Sequence, residues 1–147
     1  DIQRSRGLGD VYKRQIEAMA QLGAWQDKAA ELRDSMEDEL LKAAPGVFIY
    51  GRGAQRLCNT SAILMPGVKA ETQLMSFDLA GIAVSAGSAC SSGKVAASPV
   101  LKAMGASDAD ATATIRVSLG WHTTKEDIDH FLATWIALFE RTRSSAA

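Results

Sequence analysis

Between residues 16 and 44 the apolar positions Trp25, Ala29, Leu32, Met36 and Leu40 recur every three or four residues, with acids and bases between them. That spacing predicts an amphipathic helix with one inward stripe. Gly23 is placed to nick it near its start, and Pro45-Gly46 to end it. The period then shortens. "VFIY" at 47–50 is a β-branched and aromatic run closed by "GRG", and "TSAILM" at 60–65 is a second such run bounded by Pro66-Gly67. Both read as strands.

A helix is predicted over 70–80, with Leu74, Met75, Phe77 and Leu79 as its apolar positions and Gly81 as its C-terminal cap. "IAVSA" at 82–86 reads as a third strand. Ser98-Pro99 has the form of an N-cap followed by proline at the first helical position, and Gly105 closes that short helix. "TATIRVSLG" at 112–120 alternates, with Ile115, Val117 and Leu119 on one face and Arg116 and Ser118 on the other. In the last helix Thr123 and Glu126 have capping-box spacing, ahead of a stripe of Ile128, Phe131, Leu132, Trp135, Ile136 and Phe139. The pattern predicts an α/β domain, a small sheet of about four strands flanked by helices.

Composition narrows the class of partner. A net charge of −1 over 147 residues gives no electrostatic basis for nucleic acid or an anionic membrane as the main partner. No apolar run approaches the roughly 20 residues that span a bilayer. Two cysteines point to a reducing, cytoplasmic compartment with no disulfide framework. Residues 1–15, "DIQRSRGLGDVYKRQ", are polar, glycine-broken and poorly periodic, and "DVYKRQ" back-translates to the end of a transposon used to prepare sequencing libraries. The expectation is a non-native or disordered segment over 1–15 and a domain over 16–147, the native protein extending further upstream.

Two side chains stand out chemically. Cys90 lies in "VSAGSACSSGK" at 84–94, near the start of about eleven residues, nearly all Gly, Ala or Ser, between the end of the third strand and Ser98. So little apolar surface predicts a mobile segment. A thiol there is either an incidental small residue or an accessible nucleophile, active as the thiolate. A phosphate-binding loop is excluded, because five residues separate Gly87 from Gly93 and Val95 stands where the hydroxyl is required. Arg116 projects from mid-strand, either onto a solvated face or in a fork onto a carboxylate.

"VSAGSACSSGKVAASPVLKAMG" followed by "ATIRVSLGWHTTKEDID" resembles the C-terminal part of cysteine desulfurases, pyridoxal-phosphate enzymes of the class V aminotransferase superfamily. The length of the cysteine segment resembles the branch that supplies sulfur for iron–sulfur assembly. The resemblance implies the C-terminal small domain of a fold-type I pyridoxal-phosphate transferase. It implies that Cys90 takes the sulfur of L-cysteine as a persulfide, leaving L-alanine, and that Arg116 pairs with the substrate carboxylate. It further implies transfer to a scaffold or other sulfur acceptor, a homodimer at full length, and Cys90 as a ligand of a transient iron–sulfur cluster.

The histidine–lysine pair that carries the cofactor in that family is absent from this sequence. The pyridoxal 5'-phosphate site is therefore expected on a missing upstream domain, and the chain alone is expected to be inactive. Cys58, where relatives commonly have proline, reads as a neutral substitution; Pro99 replaces a bulkier residue; His122 and His130 read as surface positions. Two other readings stay open: a class V aminotransferase or lyase without persulfide chemistry, and a non-catalytic scaffold-binding module.

Overall fold

The computed structural model describes residues 2–87 and 97–144, the side chains of 2–9 excepted. In order the elements are α1 (Ile2–Ala43), β1 (Phe48–Tyr50), β2 (Thr60–Leu64), α2 (Ala70–Leu79), β3 (Ser85–Ala86), α3 (Pro99–Ala103), α4 (Asp108–Thr112), β4 (Thr114–Ser118) and α5 (Lys125–Ser144). The strands form one antiparallel sheet in the order β1-β2-β4-β3, with Ile63 opposite Ile115 on the two central strands. An α/β domain with a four-stranded sheet is what the hydrophobic pattern predicted.

One face of the sheet carries the main core. Ile63 and Ile115 meet Met36 and Leu40 of α1, Phe77 of α2, and Phe131 and Trp135 of α5. The rings of Phe77 and Phe131 stack at 5.0 Å between α2 and α5. On the opposite face a smaller cluster of Tyr50, Leu64, Leu101, Ala111 and Ala113 covers only the end of the sheet nearest α3 and α4. The rest of that face is open, and Arg116 lies on it.

Helix α1 runs through Gly23 without the interruption expected there, 42 residues or about 63 Å. Nothing lies within 4 Å of where a Gly23 Cβ would be. An exposed glycine costs a helix only about 1 kcal/mol relative to alanine, and the alanines, methionine and leucine around it offset that. Tertiary contact begins at Trp25, whose ring stacks on Trp121 at 5.4 Å while its Nε1 donates to the Gly120 carbonyl. Residues 10–24 are exposed.

Farther along α1, fully buried Glu37 joins the helix to the β1–β2 connection. Its Oε1 accepts from Arg56 Nη1 at 2.7 Å and from Ser61 Oγ at 2.7 Å, and its Oε2 accepts from Arg56 Nη2 at 2.6 Å. These bonds hold the Arg56 guanidinium above its ordinary pKa. Arg33 adds a bond to the Leu57 carbonyl at 2.6 Å, and Arg52 pairs with Asp38.

Four other local expectations shift. In α2 the inward residues are Ala70, Gln73 and Phe77, whereas Met75 and Leu79 are exposed. Gln73 is buried because its Nε2 donates to the carbonyls of Val68 and Ala113, both at 2.8 Å. Strand β3 spans two residues, not five. Gly81 (φ 74°) turns the chain at the end of α2, and the Ile82 N–H is held by the Phe77 carbonyl at 2.8 Å, so sheet pairing waits until Ser85. Residues 108–112, part of which was read as strand, form α4, with Ser107 as its N-cap and Asp108 and Asp110 in its first turn.

The cap of α5 moves by one residue. Thr124 and Asp127 form the reciprocal pair, Asp127 Oδ2 accepting from the Thr124 N–H at 2.9 Å and Thr124 Oγ1 from the Asp127 N–H at 3.3 Å. Thr123 instead accepts from the Gly120 N–H at 2.8 Å. Thr124→Ala is expected to lower stability by about 1 kcal/mol in urea unfolding. A loss confined to Thr123→Ala would restore the original spacing argument.

Candidate functional site

Strand β4 fixes the site. Its alternation buries Ile115 and Val117 in the main core, which turns Arg116 to the open face between Ala62 of β2 and Ser85 of β3. Arg116 is exposed and forms no ion pair among the described residues. A planar guanidinium with an unengaged fork suits a carboxylate ligand.

Two residues back along β4 lies Thr114, fully buried, with its Oγ1 donating to the Asp110 carbonyl at 2.7 Å. The Thr114 carbonyl accepts from the Gly87 N–H at 3.0 Å, one pair beyond β3. The chain resumes at Ala97, and Ser98, almost fully buried, caps α3 by accepting from the Leu101 N–H at 3.4 Å. Gly87, bonded to β4, and Ala97, packed against the Tyr50–Leu101 cluster, thus flank residues 88–96. Cys90, its expected mobility and the expected cluster ligation all lie outside the described residues.

The residues present do not fit pyridoxal phosphate. A lysine that forms an imine needs burial or a cationic neighbour to lower its pKa. Every described lysine is exposed. Hydrogen bonds to Glu39 and Asp129 raise Lys42 and Lys125 respectively, and Lys102 pairs with Asp108.

Nor do the remaining sequence candidates converge on Arg116. Cys58 is a partly exposed free thiol on the β1–β2 connection. His122 is exposed, and His130 Nε2 lies 3.0 Å from the Ala80 carbonyl at the end of α2. The described residues contain no group of three or more His, Cys, Asp or Glu that could hold a metal ion. Gly87 and Glu37 were missed as anchors. Glu37 follows Met36 and shares the inward helix arc with Arg33 and Leu40, and that position was the available signal.

The family model for aminotransferase class-V matches residues 11–131. The chain belongs to that family. This class-V chain is 40% identical over 113 residues to a cysteine desulfurase of Sinorhizobium fredii, covering 77% of the chain and 29% of the relative. It is 36% identical over 137 residues to the cysteine desulfurase IscS of Acinetobacter baumannii, covering 93% and 32%. The crystal structure of a NifS-like protein from Rickettsia africae superposes with a TM-score of 0.67 at 32% identity, over 78% of this chain and 29% of that one. The class-V chain therefore spans about three tenths of the length of these relatives.

No helix among the described residues is long and apolar enough to cross a membrane.

Proposed function

We propose that this chain contributes the sulfur-accepting thiol and the substrate anchor of a cysteine desulfurase. The observation that carries the reading is the match to relatives named cysteine desulfurases, on a fold whose central strand leaves Arg116 exposed and without an ion pair among the described residues. In this reading Arg116 grips the α-carboxylate of L-cysteine in a bidentate pair and orients its side chain. The Cys90 thiolate attacks the substrate sulfur, so an S–S bond forms as the C–S bond breaks. The C–S electron pair stays on the substrate carbon, which takes a proton to give L-alanine. The persulfide on Cys90 then passes to an acceptor, an iron–sulfur scaffold in the branch this sequence resembles. Two thiols in the whole chain suit such work in a reducing compartment.

A chimera tests this, with the chain replacing its matched 32% of the Acinetobacter baumannii enzyme. A chimera that binds pyridoxal phosphate is expected to release L-alanine from L-cysteine and to gain one sulfur atom on Cys90 by mass spectrometry. Cys90→Ala is expected to abolish both while leaving the cofactor absorbance intact. Cofactor binding without alanine would refute the desulfurase reading. Alanine formation unaffected by Cys90→Ala would favour a class-V lyase without persulfide chemistry.

A further inference from the structure

Strand β4 sets Arg116 between two cross-strand neighbours that differ in spacing and in chemistry. On the β2 side, bonds from the Met65 N–H to the Ala113 carbonyl and from the Leu119 N–H to the Asn59 carbonyl fix the alternation of the ladder. Ala62 and Arg116 are therefore a non-hydrogen-bonded pair. On the β3 side the Gly87 bond to the Thr114 carbonyl makes Ser85 and Arg116 a hydrogen-bonded pair. Cα atoms lie about 4.5 Å apart in the first kind of pair and about 5.5 Å in the second. Ala62 thus crowds the stem of Arg116 with a methyl group, and the wider side, over β3, carries a hydroxyl.

Ser85 and Arg116 are both exposed, and as direct partners they project from the same face. The Ser85 hydroxyl has no partner among the described residues. Its register is pinned one pair farther on. A Cβ built at Gly87 would lie 2.9 Å from the Thr114 carbonyl oxygen and 3.0 Å from Leu101 Cδ1, so the chain meets β4 there with no room for a side chain. Gly87 is not one of the positive-φ glycines, and its requirement is spatial. A slip by one residue would turn Ser85 to the other face.

A guanidinium that takes a carboxylate side-on, through Nε and one Nη, holds it beside the fork with the carboxyl carbon about 4 Å from Cζ. Toward β3 that position lies above Ser85, whose hydroxyl can donate. Toward β2 it lies above Ala62, which has no donor. We propose that Ser85 is a second carboxylate-binding residue: its hydroxyl donates to the carboxylate that Arg116 holds, which sets that carboxylate over β3. This rests on the anchor role given to Arg116 above.

The test uses the whole 147-residue chain, labelled with ¹⁵N, and acetate as the probe. Acetate is exchanged for chloride at constant ionic strength, and its Kd is read from the Nε–Hε resonance that Arg116→Gln removes. Ser85→Ala is expected to raise that Kd about threefold with no loss of thermal stability, and Ser85→Thr, which keeps the hydroxyl, to restore it. Ser118→Ala, which removes a hydroxyl two residues along β4, is expected to change nothing.

An Arg116 resonance that acetate does not move would defeat the anchor role, and this inference with it. Acetate binding that Ser85→Ala leaves undiminished, or that Ser118→Ala weakens as much, would overturn the inference alone. So would tighter binding in Ala62→Ser, which would put the carboxylate over β2.

Discussion

Glu37→Ala is expected to cost about 3–5 kcal/mol in urea unfolding, a large share of what holds a domain of this size together. The carboxylate is fully buried and accepts three bonds of 2.6–2.7 Å from Arg56 and Ser61. Its removal leaves the Arg56 guanidinium half-enclosed, without the partner that holds its pKa up, and strips Ser61 Oγ of its acceptor. An unpaired buried charge costs more than the intact pair contributes.

The double variant Glu37→Leu with Arg56→Met is the control. It removes both charges together, and its loss is expected to be well below that of Glu37→Ala. A single-variant loss under about 1 kcal/mol would mean that water or Arg52 replaces the lost acceptor, and that the cluster does not pin α1.

The second large effect concerns Arg116. In the cofactor-binding chimera, Arg116→Gln is expected to lower kcat/KM for L-cysteine about a hundredfold, with most of the change in KM. Glutamine keeps a donor but loses both the charge and the fork. Arg116→Lys is expected to recover only part of the loss, because an ammonium offers no parallel pair of N–H groups. Neither change is expected to lower thermal stability measurably, since Arg116 is exposed and forms no ion pair among the described residues. A loss confined to kcat, with KM unchanged, would rule out the carboxylate-anchor role.

Much of the site was legible where it depended on periodicity. The alternation of 112–120 put Arg116 opposite Ile115 and Val117, and Ser98-Pro99 marked where α3 begins; both stand in the structure. What misled was local chemistry that competes with period. "SDAD" at 107–110 is an N-cap with acids behind it, yet the alternating run beside it concealed α4. Ile82 and Val84 have strand-forming character, but the cap at Gly81 spends the Ile82 N–H on the end of α2. Thr123 and Thr124 are equivalent by type. Which of them caps α5 depends on where the Gly120 turn leaves the chain.

The sequence by itself determined the layers of this protein, most of its core outside α2 and the face on which Arg116 stands. Those follow from hydrophobic period, a one-dimensional property that burial enforces residue by residue. Only the tertiary structure decided that Glu37 is a buried anchor, and that Gly87 is glycine for want of room, not for its dihedral angle. Both depend on groups 14 to 27 residues away in the chain, Arg56 and Ser61 for Glu37, Leu101 and Thr114 for Gly87. Such distances are created by folding, and no spacing along the chain encodes them.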